Sequence, residues 1–519
     1  MKQGAVARAA VIVAIFSLLS RVLGFAREAV LSRVFGTTGV GGAQADAYTN
    51  SLFIVNTVAA VLLYALVTIV IPAFEHERRD RGEGSAWSLL WAITTWVCIG
   101  LTAVGAFMAI WPEAVTALFP MSDEGSRTMT ELVRIMSAGL VLQGISAQLA
   151  AVLQSQRAFV GPAAVGVAFN LGIIVCLAIG GGTIRSASWG VVVGAAAQVV
   201  FQIPQLVMVL RRYHGGRPAL RHPRLRQVMM LAIPVLAASI LQQINGYTDK
   251  IFAGLLHESG RNAALNWANQ AGQAPRAMLL VPLLTPLFPA IARLVAENRR
   301  TETARAFRRA ADVMGLVSLP ITILLLIYPH EISRVMFGGS QCRADCVSDI
   351  AAPLRFYAIG IWAAFIGYLH NRMLSAMNLT RDIMNATVVT VVVTIALDAA
   401  LIFPMGISGL ALATSIGVII NMIQTGWMVR RNLRELGVRS LVAEQARMAT
   451  AAAIGGVVAI AANPLLPTHA GGTLLHTLGG MAAKSLLGLI AFIVVVRSIA
   501  PTAAREGGNA LRSVVGRRR

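Results

Sequence analysis

Four ionisable side chains stand inside an otherwise apolar stretch near the start of the chain. Residues 8–35 read RAAVIVAIFSLLSRVLGFAREAVLSRVF, and the second half carries Arg21, Arg27, Glu28 and Arg33. Arginine presents a planar fork of N–H donors that suits phosphate oxygens. A carboxylate beside it offsets part of the cost of a desolvated charge. An ionisable group at the centre of a bilayer helix costs roughly 2.5–3.5 kcal/mol on insertion scales, so such groups usually face a bundle interior or a wet cavity. At about 100° per residue, Arg21, Gly24 and Glu28 share one helix face and Arg27 lies off it. Arg33 reads as a residue near the membrane surface that snorkels. Arg21 follows Arg8 by only about a dozen residues, too few to span a bilayer. Either Arg21 lies within the membrane, or the helix breaks around Gly24, which permits a bend or a close backbone approach. A cationic functional site accounts for these residues better than interfacial arginines do.

The elements that must position these groups are membrane helices. The chain has 519 residues, 56% hydrophobic and only 13% charged. Ordinary soluble proteins carry about 25% charged residues. With a mean hydropathy of +0.69, the composition describes a polytopic membrane protein. The apolar run from Val11 leads into arginines with no small-residue cleavage site before them, so no removable signal peptide is expected. A net charge of +21 would suggest nucleic acid in a soluble chain. Here cytoplasmic loops rich in Lys and Arg explain it, and no zinc-finger spacing or aromatic–basic repeat supports a nucleic-acid partner. Four cysteines are too few for a disulfide framework. Cys98 and Cys176 lie in apolar runs and read as packing residues.

Apolar runs predict about fourteen spans, near residues 8–35, 45–74, 87–110, 132–153, 163–179, 189–210, 228–256, 264–294, 314–337, 354–377, 388–403, 410–429, 448–462 and 475–496. Basic residues collect at the exits of the even spans. The richest exit follows span six, with Arg211, Arg212, Arg217, Arg221, Arg224 and Arg226. The odd exits are short, Gly-rich or mildly acidic. One orientation satisfies this alternation: both termini in the cytoplasm. Cys342 and Cys346, with three residues between them, then fall on the outer side, where a disulfide is allowed.

The chain also repeats itself. Residues 190–212, GVVVGAAAQVVFQIPQLVMVLRR, align without a gap on residues 409–431, GLALATSIGVIINMIQTGWMVRR. Each segment closes a block of six spans, and the spans before them hold Asn170 and Asp398. Parallel repeats imply a pseudo-two-fold axis along the membrane normal and a substrate site between the halves. The expected fold is therefore an all-α polytopic membrane protein with two six-helix lobes and two C-terminal helices. The lobes are residues 1–212 and 227–431, joined by a basic cytoplasmic loop at 213–226. Spans thirteen and fourteen fall in 432–498, and a basic cytoplasmic tail occupies 499–519.

Asp249 and Lys250 are adjacent near the far end of span seven, either as an interfacial ion pair or as part of a site. Asp398 stands alone in its span, as a proton or cation site or as an acceptor satisfied by a neighbouring helix.

The residues at 20–28, SRVLGFARE, closely resemble the first-helix motif of the MurJ (MviN) lipid II flippase family, where the last position is usually Asp. Ala45-Asp46-Ala47-Tyr48 resembles that family's opening of helix two. Residues 154–170, QSQRAFVGPAAVGVAFN, are similar to its helix four–five junction. Residues 248–253, TDKIFA, followed by 264–269, ALNWAN, resemble its helix seven–eight region. The resemblance runs along nearly the whole chain. It implies a member of the multidrug/oligosaccharidyl-lipid/polysaccharide exporter superfamily, with spans thirteen and fourteen lining a groove for a polyprenyl tail. It also implies that Arg21 and Arg27 bind a lipid pyrophosphate, while Glu28 and Asp46 hold those arginines.

Two departures stand out. The family arginine of helix eight is here Gln270, and a following acidic position is Gln273. The family's Pro-Asn of helix two is Val55-Asn56, with Ala59 where an arginine is common. Asp249 and Lys250, or Arg276 after Pro275, are then the groups expected to complete the site, or the headgroup differs.

The expected function is translocation of lipid II from the inner to the outer leaflet by alternating access. The alternatives are a divergent exporter of another polyprenyl-linked glycan and an exporter of small molecules or drugs. An enzyme on polyprenyl carriers would need paired acidic groups in a sizeable outer loop, and the outer loops are short. The expectation is a multi-pass inner (plasma) membrane protein without a cofactor or metal, coupled to the membrane potential or a monovalent ion. Its expected partners are the lipid-linked glycan, membrane lipids and cell-wall synthesis proteins.

Overall fold

The computed structural model describes residues 3–156, 158–211, 220–280, 288–464 and 474–505. Arg157, Arg212, Arg217 and the tail from residue 506 lie outside the described residues. The described chain is helical with short connections, because backbone polar groups in hydrocarbon must be satisfied within their own segment.

One compact unit takes in residues 1–263 and 340–342. It contains α1 (Gln3–Phe35), α2 (Gly39–Arg81), α3 (Glu83–Ile110), α4 (Pro112–Thr116), α5 (Asp123–Ser155), α6 (Val160–Ile179), α7 (Ile184–Arg211) and α8 (Leu225–Gly254). Within it α5 packs against α2, α3 and α7, α6 lies between α1 and α7, and α8 lies against α2. The α6–α7 contact is close because both sides are small. A Cβ on Gly172 would stand 2.4 Å from the Gly194 Cα, the kind of contact that membrane helices build from small residues. Leu66, Val70, Phe74, Trp87 and Leu90 form an apolar core where α2 meets α3, with the Phe74 and Trp87 rings edge to face at 5.8 Å.

The other unit takes in residues 264–339 and 343–519. Its elements are α9 (Arg261–Pro275), a π-turn (Arg276–Leu280), α10 (Phe288–Ala296), α11 (Arg300–Ile327), α12 (Pro329–Phe337), α13 (Ala344–Ile359), α14 (Ile361–Ala376), α15 (Thr380–Met405), α16 (Ile407–Asn432), α17 (Val438–Ala461) and α18 (Leu474–Ile499). Here α16 packs against α13, α14 and α15, and α17 packs against α11 and α18.

Among the described residues nine helices are long and apolar enough to cross a membrane, and eleven result when two bent pairs are each joined. The expected fourteen is compatible with that number. The more charged α1 and α17, of 33 and 24 residues, stand outside the nine. Apolar side chains such as Ile179 and Phe403, 82% and 77% exposed, point outward, as a lipid-facing surface requires.

Several expected boundaries move. The charged residues at 75–81 are helical turns of α2, and Asp123, Glu124 and Glu131 belong to α5, whose first turn is capped by Ser122. Arg300, Arg305, Arg308 and Arg309 lie on α11. Charged residues are good helix formers, so helices run on past their apolar stretches. The ninth expected span breaks at Tyr328, where Pro329 starts a new helix. The tenth bends by 45° at Gly360, and the Ser415 hydroxyl donates to the Phe356 carbonyl there at 2.7 Å. Cys342 and Cys346 are disulfide-bonded, while Cys98 and Cys176 are free thiols in partly buried positions.

At the end of α2 the fully buried Glu77 carboxylate gathers several partners. Ser85 donates to it at 2.6 Å, and Arg224, His222 and Arg81 stand 3.1, 3.6 and 3.8 Å away. These contacts hold the segment before α8 against the α2–α3 turn.

Candidate functional site

The helix carrying the first candidates is continuous. α1 runs unbroken through Gly24, and a Cβ there would meet Asn170 only at 3.7 Å, an ordinary contact. The bend considered for Gly24 is therefore absent. Arg21 lies in mid-helix and is half-buried. Arg27 and Glu28 are buried, and the Arg27 Nη2 is paired with the Glu28 carboxylate. Neighbouring residues on a helix point about 100° apart. The length and flexibility of both side chains let this pair close.

The other side of Arg27 is held from α6. The Asn170 Oδ1 accepts from Arg27 Nη1 at 3.1 Å. The Asn170 Nδ2 donates to the carbonyls of Ser20, at 3.1 Å, and Gly166, at 2.8 Å. Those two acceptors fix the amide orientation, since a flipped amide would set oxygen against oxygen. The Arg27 Nε is buried and has no hydrogen-bond partner among the described residues. Tyr48 on α2, 3% exposed, lies within electrostatic range of Arg27 and Glu28. Its hydroxyl also lacks a partner among the described residues.

Asp46 does something other than what the resemblance implies. Its two carboxylate oxygens accept from the backbone N–H groups of Gly260 and Ala263, each at 2.7 Å. A carboxylate so placed satisfies amides that the first helical turn leaves unpaired and complements the helix dipole. Its bonded partners are thus backbone amides of residues 260 and 263, which belong to the same unit, in place of the arginines of α1. Lys250 on α8 is buried, with Nζ 5.2 Å from the centre of the Phe53 ring. Asp46, Asp249 and Glu28 lie within its electrostatic range, and Asp249 is buried as well. Asn56 is half-buried further along α2. One unit therefore brings together Arg27, Glu28, Asn170, Tyr48, Asp46, Asp249 and Lys250. Each buried cation has a carboxylate near it, which offsets the cost of desolvation.

Gln270 and Arg276 belong to the other unit. Gln270 is half-buried on α9. Arg276 is exposed at the start of the π-turn, and its Nη2 donates to Gln273 at 3.0 Å; Gln273 in turn donates to Asn269. Arg372 on α14 donates to the Tyr368 hydroxyl through Nε at 3.0 Å and lies 4.9 Å from the ring centre. Arg276 is in electrostatic range of the same tyrosine. Sequence reasoning missed Arg372, Asn170 and Tyr48 as site residues. Arg372 carried the same kind of signal as Arg27, an arginine within an apolar span, which it shares with Arg355.

Asp398 on α15 is 0% exposed, and neither carboxylate oxygen has a hydrogen-bond partner among the described residues. The reading of this residue as a satisfied acceptor therefore does not hold. No group of three or more His, Cys, Asp or Glu that could hold a metal occurs among the described residues. An apolar groove runs along α11, α17 and α18, lined by Ile323, Leu324, Gly455, Leu489 and Phe492. At Tyr328 the groove is crossed by a hydrogen bond from the hydroxyl to the Ala459 carbonyl at 2.9 Å.

Residues 31–478 match the family model described as "Lipid II flippase MurJ". The lipid II flippase MurJ of Burkholderia cenocepacia is 25% identical over 370 residues, covering 68% of this chain and 70% of that one. A probable lipid II flippase MurJ of Rhizobium tropici is 23% identical over 502 residues, covering 92% and 91%. Among solved structures, a lipid II flippase MurJ in an inward closed conformation aligns with a TM-score of 0.79 at 18% identity, covering 94% of this chain and 99% of that one. An inward-facing multidrug resistance MATE family transporter aligns at 0.67 with 12% identity, covering 82% and 98%. At these identities the structural likeness speaks for the fold.

Proposed function

Since the chain belongs to the MurJ family of lipid II flippases, we propose that the buried cluster around Arg27 receives the pyrophosphate of the lipid during transport. The protein is a multi-pass inner-membrane transporter of lipid II and not an enzyme. The observation that carries the assignment of the site is the state of the Arg27 guanidinium. Glu28 and Asn170 hold its two Nη groups, and the buried Nε–H has no acceptor among the described residues. A phosphate oxygen is the acceptor such a donor fits, and Glu28 holds the charge until it arrives. Arg21 on the same helix and Lys250 on α8 add positive charge to the reading.

The same proposal covers features of finer grain. The apolar groove of α11, α17 and α18 would take the polyprenyl tail, the role expected for the last two helices. Transport would proceed by alternating access from the inner to the outer leaflet, with both termini in the cytoplasm. Coupling would use the membrane potential or a monovalent ion, with Asp398 the group placed to hold a proton or cation. Cell-wall synthesis proteins that use the delivered precursor are the expected partners.

The test is flipping in proteoliposomes with purified lipid II, alone and against competing lipid-linked sugars. Arg27→Lys keeps the charge but replaces a bidentate fork with a point charge. It should lower translocation about tenfold or more, one charge-assisted hydrogen bond being worth roughly that factor. Full translocation by Arg27→Lys would overturn the pyrophosphate assignment.

A further inference from the structure

Tyr48 is 3% exposed, and its buried hydroxyl bonds to no described residue. Buried hydroxyls are hydrogen-bonded in the great majority of proteins, because an unpaired one keeps the cost of leaving water without recovering it. The ring accounts for the packing, and a phenylalanine would supply the same ring. The hydroxyl must therefore be accounted for separately. Its surroundings narrow the choice. Arg27 and Glu28 lie in its electrostatic range, and the Arg27 Nε–H is likewise buried without a partner among the described residues. An arginine Nε can only donate, and a tyrosine hydroxyl donates readily to an anion. Two buried donors without partners among the described residues, within electrostatic range of one another and of one carboxylate, suit an acceptor with more than one oxygen.

We propose that Tyr48 is a substrate-binding residue whose hydroxyl donates to the phosphate oxygens that Arg27 Nε–H also engages. This rests on the assignment of the Arg27 cluster to the lipid pyrophosphate and adds a neutral donor to it. A neutral donor strengthens binding without adding a charge that must be matched while the site holds no anion. It also gives the site a means of favouring a group with several oxygens over a single carboxylate.

The experiment measures lipid II affinity and thermal unfolding of the purified full chain for Tyr48→Phe and Arg27→Lys side by side. The competitor is a lipid-linked sugar carrying one phosphate. Tyr48→Phe should bind lipid II about tenfold more weakly, the usual worth of a hydrogen bond to a charged group. Its unfolding temperature should be unchanged or higher, because an unpaired hydroxyl has been removed. Its affinity for the monophosphate lipid, whose phosphate also offers more than one free oxygen, should fall by a similar factor. Unaltered lipid II affinity in Tyr48→Phe, with Arg27→Lys impaired, overturns the role of Tyr48 and leaves the pyrophosphate site standing. Unaltered affinity in both variants overturns the site itself. A lowered unfolding temperature in Tyr48→Phe shows a structural partner for the hydroxyl and also overturns the proposal.

Discussion

Asn170 accepts a hydrogen bond from Arg27 Nη1 at 3.1 Å while two main-chain carbonyls grip its own Nδ2. The acceptor for the arginine is thus anchored to the backbone of α1 and of α6, and cannot rotate without losing both anchors. Asn170→Ala leaves a buried guanidinium donor short of a partner, while the two carbonyls keep their helical N–H donors. The expected cost is about 1–3 kcal/mol in stability and about tenfold in lipid II affinity. If the affinity loss runs through Arg27, the same change in an Arg27→Lys background should add little. Full additivity of the two losses in a double-mutant cycle would separate Asn170 from the site.

The division between what was legible and what was not follows the range of the interactions. Arg27 and Glu28 could be read because an ionisable pair in an apolar helix is costly wherever it sits. The helices themselves could be read from apolar length. The role of Asp46 could not, because its partners Gly260 and Ala263 lie 214 and 217 residues away. No local pattern announces a cap supplied by another part of the chain. Asn170 stood out as a polar residue in an apolar run, but what it holds depends on how α6 packs on α1. The break at Tyr328 was signalled by Pro329 and passed over. At the 45° bend near Gly360 the Phe356 carbonyl is met by the Ser415 hydroxyl of α16, a partner 59 residues away that no local pattern announces.

Asp46 offers a direct contrast between capping a helix and holding an arginine. Asp46→Asn keeps one acceptor oxygen and removes the charge that favours a helix N-terminus. It should destabilise the protein by about 1 kcal/mol, as the loss of a cap does. Combined with Arg27→Lys, the two stability changes should add to within about 0.5 kcal/mol, because the bonded partners of Asp46 are amides of residues 260 and 263. Strong non-additivity in thermal unfolding would restore the arginine-holding role.

The orientation proposed from the basic segments is open to chemical labelling. Arg221 is exposed in the segment between α7 and α8. In a background with Cys98 and Cys176 replaced by alanine, Arg221→Cys should be shielded from a membrane-impermeant thiol reagent in intact cells. It should react once the membrane is permeabilised. Reaction in intact cells would place this segment outside and reverse the topology.

The cluster around Glu77 predicts a dependence on pH. The His222 Nδ1 accepts from the Arg224 backbone N–H at 3.2 Å, so the neutral ring carries its proton on Nε2. That nitrogen faces the Ser85 hydroxyl at 3.2 Å and the Glu77 carboxylate at 3.6 Å. Burial pushes the His222 imidazole below its ordinary value; Glu77 pulls it back up, while Arg81 and Arg224 push it down. The folded protein therefore binds this proton less readily than the unfolded chain. Stability from this group is complete above the unfolded imidazole value of about 6.5 and is lost as the pH falls below it. Asp80, held low by its hydrogen bond from Arg224, stays ionised across this window and so does not mask the effect. Thermal unfolding measured from pH 7.5 to 5.5 should show a fall in midpoint that His222→Gln reduces, and Glu77→Gln should lower the midpoint at both ends of the range. Identical pH profiles for the natural protein and His222→Gln would remove the histidine from this account and leave the clasp to the Glu77–Arg224 pair alone.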